Sequence, residues 1–245
     1  MRVIRRWFAW CACPMALLLA TTALAQTFEI EVGGRAVSIP IPPDHVRVGE
    51  TAPELFRGLD ATTPPAKRLI EVLATGTDVA RMRGGALAEG HLFYVYEELR
   101  WAGREPPPQE WQDLRARLRR VAQRVDVSQA TDLVEDALNE SVERKLDGRY
   151  RFDVGAIGQP VLYRDDERSI RLFARMAVSA SAGDRTRSGD MLIFAATVPL
   201  NGRMLFFNGA CICAKDAASA ETLGAAFDAL IDRAIAGNAP QAARP

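Results

Sequence analysis

The chain has 245 residues, 48% of them hydrophobic and 25% charged, with 31 basic and 31 acidic side chains. That balance excludes a disordered, collagen-like or disulfide-dense miniprotein and leaves room for one well-filled domain. A formal net charge of zero also argues against a nucleic-acid partner, whose binders carry a basic excess.

Residues 1–25 read as a signal peptide. Arg2, Arg5 and Arg6 supply the positive end, and Trp7 to Leu19 is uncharged and apolar. Ala23-Leu24-Ala25 then puts small residues where a signal peptidase reads them, just before Gln26. The apolar run is shorter than the roughly 20 residues of a membrane span, so an uncleaved anchor fits less well than export. Removal of the leader takes away three arginines and no acid, leaving 28 basic against 31 acidic groups over 220 residues, a net charge of −3. The expected product is soluble, periplasmic or secreted, with no membrane span.

After the leader, Thr27–Val32 alternates with Phe28, Ile30 and Val32 on one face. Gly33-Gly34 suits a tight turn, and Arg35–Ile41 returns with Val37, Ile39 and Ile41 inward. Pro40, Pro42 and Pro43 stop that ladder. Residues 52–60 form a short predicted helix before Pro64-Pro65, and Lys67–Ala74 and His91–Leu99 are predicted strands. After Pro106-Pro107-Pro108, Trp111, Leu114, Leu118, Val121 and Val125 keep a helical period. A second helix follows, capped by Ser128, striped by Leu133/Val134, Ala137/Leu138, Val142 and Leu146, and stopped at Gly148. The first helix carries Arg115, Arg117, Arg119, Arg120 and Arg124; the second carries Asp132, Glu135, Asp136, Glu140 and Glu143. As an antiparallel pair they would face one another, fixing register more than stability, because exposed pairs contribute only about 0–1 kcal/mol each.

From residue 149 the period is two. Tyr150, Phe152 and Val154 alternate with charges, and Ile170 to Val178 alternates with Arg171, Phe173 and Arg175. Asn201-Gly202 is a strong hairpin signal between Met191–Val198 and Arg203–Ala214. A last helix has the stripe Leu223, Ala226/Phe227, Leu230/Ile231 and Ala234/Ile235, with Gly237 at its end. The expected fold is α+β: an antiparallel sheet of about six to eight strands with packed helices. A helical pair at 108–147 is inserted into a single domain spanning 26–237, and a tail runs over 238–245.

Residues that would carry chemistry are few. His45 and His91 are the two histidines, and no H-E-x-x-H spacing, nucleophile elbow or phosphate-cradling loop occurs. No catalytic residue, cofactor or metal site is therefore expected. Glu97 and Glu98 point to opposite faces of a strand and cannot share a proton, and Asp165-Asp166 reads as a solvated turn. Cys211 and Cys213 lie one residue apart on a strand, a spacing near the limit for a bridge. Two packed thiols are favoured over a bridged pair. Tyr94, Tyr96, Trp101 and Trp111 flank the Pro-rich linker. They are either a surface cluster for a ligand or partner, or core side chains of the sheet edge and its helix.

The order of elements resembles the PsbP-like/DcrB-like αβα-sandwich group of exported proteins. The resemblance rests on the first hairpin with its following prolines, the run of antiparallel strands, the Asn201-Gly202-Arg203-Met204-Leu205-Phe206-Phe207 turn and the closing helix. The pair at 108–147 has no place in that pattern. It implies a mostly non-enzymatic role, as accessory subunit, envelope factor or binder, and carries over no catalytic residues. The expected function is an exported accessory or binding protein with a protein partner or an apolar ligand, including an immunity or inhibitor protein. The alternatives are a hydrolase with a carboxylate-based site and a lipid or glycolipid carrier.

Overall fold

Segments with alternating apolar residues need partners on both edges, and the chain supplies them in succession. The computed structural model describes residues 26–85, 88–124, 131, 135–136, 139–140, 143, 150–182, 185–212 and 217–239. Strands β1 (Thr27–Val32) and β2 (Arg35–Pro40) form a hairpin of their own. Gly33 and Gly34 at its turn have φ of 56° and 77°, the pair of positive angles that a two-residue turn demands.

The remaining strands are β3 (His45–Arg47), β4 (Lys67–Thr75), β5 (Leu92–Glu98), β6 (Tyr150–Ile157), β7 (Val161–Asp165), β8 (Ile170–Ala182), β9 (Arg185–Leu200) and β10 (Arg203–Ile212). They make one antiparallel eight-stranded sheet in the order β3-β4-β5-β10-β9-β8-β6, with β7 also paired to β8. The helices whose bounds lie within the described residues include α1 (Val48–Thr51), α2 (Pro53–Ala61), α3 (Gly76–Arg83), α4 (Pro108–Arg124) and α5 (Ala217–Gly237). The α+β class, the antiparallel sheet and the C-terminal helix are as the sequence led us to expect.

The sheet is covered on both faces. On one lie the β1–β2 hairpin and α5, closing a core that includes Val37, Phe93, Phe207, Leu223, Phe227 and Leu230. Burying each large apolar side chain contributes about 1.5–3 kcal/mol. The helix sits close because two glycines make room for it. A Cβ on Gly209 of β10 would meet the Phe227 ring at 2.8 Å, and one on Gly224 of α5 would meet the Phe194 ring at 3.0 Å. On the other face, α1, α2 and α3 cover β4 and β5, while α4 and the buried Trp101 cover Met204, Phe206 and Ile170.

Helix α3 is the element that the hydrophobic pattern does not announce. Its signal is a capping pair: the Asp78 backbone N–H donates to Thr75 Oγ1 at 3.1 Å, and that hydroxyl donates to the Asp78 carboxylate at 2.7 Å. Asp78 also accepts from the N–H groups of Glu89 and Gly90, tying the following loop to the same helix.

The helical pair differs from expectation where it is described. The cap Ser128, the stripe from Leu133 to Leu146 and the stop Gly148 lie outside the described residues. Thr131, Glu135, Asp136, Asn139, Glu140 and Glu143 are helical. Glu135 and Asn139 hydrogen-bond the β6 backbone: Val154 N–H donates to Glu135, and Phe152 exchanges two bonds with Asn139. Arg115 and Arg119 of α4 both donate to Asp165 of β7. Asp165 is thus no solvated turn residue but a clamp, held below the ordinary aspartate value of 3.8, first by the Arg119 hydrogen bond and then by Arg115. The neighbouring Asp166 accepts from the N–H groups of Arg168 and Ser169 and closes the β7–β8 turn.

A second clamp holds α5. Arg171 of β8 has no exposed surface, and it faces the helix because β8 alternates. Its guanidinium donates to Asp228 at 2.6 Å, to Asp232, and to Ser169 Oγ at 3.2 Å. Asp228 and Asp232 are four residues apart, hence on one helical face. Tyr163 donates to Asp228, and Arg164 ties Asp232 to Asp166. Burial pulls the Asp232 carboxyl upward, but the hydrogen bonds and charges of Arg171 and Arg164 outweigh it and leave it below 3.8.

Two outcomes are expected. Arg171→Ala lowers the urea unfolding free energy by about 2–3 kcal/mol; the loss stays below that of a fully buried pair because Asp228 and Asp232 are 36% and 48% exposed and can hydrate. Asp165 and Asp232 have folded values below their unfolded ones, so their contribution is complete above the unfolded value and is lost as pH falls through the folded one. The contribution of these two carboxylates is therefore constant above about pH 5 and declines below about pH 4, so the acid limb of a urea titration series is shallower in Asp165→Asn than in wild type.

Candidate functional site

Strand β5 places Tyr94 and Tyr96 on one face, where their rings stack at 5.9 Å with planes 5° apart. Both are half-buried against α2. Neither hydroxyl has a hydrogen-bond partner among the described residues, and neither is sealed from solvent. Burial pushes the Tyr94 phenol up to about 12 and Tyr96 in the same direction. The Lys67 ammonium lies 5.5 Å from the Tyr96 ring and 5.4 Å from the Phe206 ring. Burial holds that ammonium below its ordinary value.

The tryptophans lie deeper. Trp101 is 3% exposed, stacks on Phe206 at 5.7 Å and donates its indole N–H to Glu110. Trp111 is 8% exposed and donates to the Glu167 carbonyl. Both are core side chains of the layer between α4 and the sheet. Of the four aromatic residues singled out from the sequence, only the tyrosine pair reaches the surface.

The histidines, far apart in sequence, meet over Phe93, with ring centroids 5.3 Å and 6.3 Å from it. His45 Nδ1 lies 2.8 Å from the Pro43 carbonyl and its Nε2 lies 3.3 Å from the His91 carbonyl, so a neutral ring donates to one of the two. Burial, then the proximity of His45, holds His91 below the ordinary 6.5. Cys211 is disulfide-bonded and 3% exposed, which replaces the favoured reading of packed free thiols; Cys213 lies outside the described residues. Among the described residues no group of three or more His, Cys, Asp or Glu could hold a metal ion, and no helix is long and apolar enough to cross a membrane.

The acids are engaged in the fold. Glu71, 2% exposed, accepts from Arg47 and from the N–H groups of Gly49 and Val72, pinning β3 and α1 to β4. Glu97, 1% exposed, pairs with Arg68. Glu54, Asp78, Glu110, Asp165, Asp166 and Asp232 are all held below their ordinary values.

One open cleft of about 340 Å³ lies where three turns meet the end of α5. Pro199, Leu200 and Ile235 form its apolar floor; Arg35, Arg168, Asn201 and Asn238 stand around it. Sequence reasoning missed it because its residues are spread over 200 positions and only the hairpin turns bring them together. Arg203 fixes the geometry, donating to the carbonyls of Val32 and Gly33 so that the tip of the β1–β2 hairpin is held beside the β9–β10 turn. The cleft opens at the end of the sheet and is not an apolar chamber between sheet and helices, the shape that a lipid carrier needs.

No protein-family model matches the chain, and no curated protein matches it. Among solved structures it is similar to the Ran-binding protein Mog1p of Saccharomyces cerevisiae, with a TM-score of 0.35 and 13% identity over 87% of this chain and 94% of that one. It is also similar to cyanobacterial PsbP (CyanoP) from Synechocystis, with a TM-score of 0.36 and 10% identity over 86% and 93% of the two chains. Likeness at that level pairs αβ architectures and assigns no function.

The burial of the aromatic residues is open to direct measurement. Trp101→Ala costs about 3–5 kcal/mol in denaturant unfolding because it empties a core position. Tyr96→Phe, which removes a hydroxyl without a protein partner, changes stability by no more than about 0.5 kcal/mol.

Proposed function

We propose that the chain is an exported accessory or binding protein that works through contact surfaces and carries out no bond chemistry of its own. The observation that supports this reading is the make-up of the cleft: two guanidiniums, two amides and an apolar floor. An arginine stays protonated and an amide is no base, so these groups recognise a partner without activating a nucleophile. The buried Glu71 and Glu97, and Asp78, Asp165, Asp228 and Asp232, are already engaged by arginines or backbone N–H groups. The leader at 1–25 supports export, and a disulfide at Cys211 suits an oxidising compartment. An immunity or inhibitor role, covering an exported enzyme or toxin, is one form of this function. The Tyr94–Tyr96 pair with Lys67 is a second patch able to contribute to such a contact.

Expression of the full chain in an exporting host tests the compartment: intact mass of the extracytoplasmic product places its first residue at Gln26, and a product retaining residues 1–25 contradicts it. Affinity capture from the same fraction recovers a stoichiometric partner whose yield falls at least tenfold with Arg35→Glu/Arg168→Glu. Recovery of no stoichiometric partner, or turnover of a defined compound by the purified protein, contradicts the reading.

A further inference from the structure

We infer that the cleft at the end of the sheet is a receptor for the carboxyl terminus of a peptide chain. This rests on the binding function proposed above and deepens it.

The two arginines at the cleft are not equivalent. Arg35 is already engaged, with Nη2 on Glu105 at 2.9 Å and Nη1 on the Asn201 carbonyl at 3.3 Å. It shapes the wall and has little charge to offer. Arg168 stands on the β7–β8 turn, whose backbone Asp166 has fixed, and its guanidinium makes no hydrogen bond or ion pair among the described residues. An unpaired, exposed guanidinium beside a buried apolar floor of Leu200 and Ile235 is complementary to a group that joins a carboxylate to an apolar side chain. The last residue of a peptide has that form: the planar carboxylate suits the fork of Arg168, and the side chain on the same carbon reaches Leu200 and Ile235. The space, about 340 Å³, lies at the small end of the range for ligand pockets and suits a chain end better than a whole strand or helix.

The end of α5 is the opposing consideration, because helix C-termini repel anions. Asn238 reduces that repulsion. Its backbone N–H and its Nδ2 both donate to the Ala234 carbonyl, and Nδ2 also donates to the Ser38 carbonyl, so the Ala234 carbonyl of the last turn is already engaged. The same bonds, with Ser38 N–H donating to Asn238 Oδ1, lock the helix end to β2 and keep the floor rigid.

The test is fluorescence anisotropy with a fluorescein-labelled Gly-Gly-Glu-Leu peptide, as the free acid and as the C-terminal amide, against the wild-type protein, Arg168→Ala and Ile235→Glu. The expected result is saturable binding of the acid that weakens at least tenfold on amidation and in either variant. Arg168→Ala removes a side chain without a partner, so its melting temperature should match wild type and report on recognition alone. Equal binding of acid and amide, binding unchanged by Arg168→Ala, or no saturable binding overturns the inference. If the peptide fails while a stoichiometric partner is still captured, this assignment falls and the broader binding function stands; if both fail, the broader function falls with it.

Discussion

A guanidinium with no exposed surface must find acceptors inside the protein, and Arg171 imposes that demand on the whole fold. β8 alternates, so Arg171 faces α5, and only a helix presenting two carboxylates four residues apart can meet it. Asp228 and Asp232 do so, which fixes both the rotation and the axial position of α5 over the sheet. The apolar stripe of Leu223, Phe227, Leu230 and Ile231 supplies the free energy, and Gly209 and Gly224 give the facing rings room to seat it. The ion pairs add a directional fix on its position. That division of labour follows from magnitude: a buried pair offers little net stabilisation over apolar residues of the same size, yet a mispaired one is expensive.

The same use of charge recurs at each layer boundary. Arg115 and Arg119 fix α4 to β7 through Asp165, Arg203 fixes the first hairpin through two carbonyls, and Arg47 with Glu71 fixes β3 and α1. Where one such contact ends, a surface begins. The cleft exists because Arg203 and Asn238 hold three separate chain segments around one apolar floor, and the guanidinium of Arg168, on the turn beside them, has no hydrogen bond or ion pair among the described residues. Where a buried acid is tied to an arginine of the same fold, recognition falls to the groups outside that pair.

Much of the fold was legible in the sequence because it rests on local signals. Gly33-Gly34 and Asn201-Gly202 announce their turns, with the positive φ angles observed at all four residues. The 3–4 spacing of Leu223 to Ile235 announces α5. Helix α3 was missed because it has a weak apolar stripe and is defined by a cap, Thr75 with Asp78. The partners of Arg115, Arg119 and Arg171 were not legible at all. They lie 46 to 61 residues away, so no window along the chain contains both halves. The opposite charges of the helical pair gave no hint that Arg115 and Arg119 donate to Asp165, a residue that only the fold brings near them. The aromatic residues show the same limit: composition marked Trp101 and Trp111, and only the packing of α4 shows them to be interior.

The most direct test of the Arg171 constraint is native-state hydrogen exchange on Arg171→Met/Asp228→Asn/Asp232→Asn, in which the charges are removed together and none is left stranded. If the ion pairs set position more than stability, global unfolding stays within about 1 kcal/mol of wild type, while amides of α5 exchange well before those of β9 and β10. Unchanged protection of α5 relative to those strands would contradict that role for Arg171.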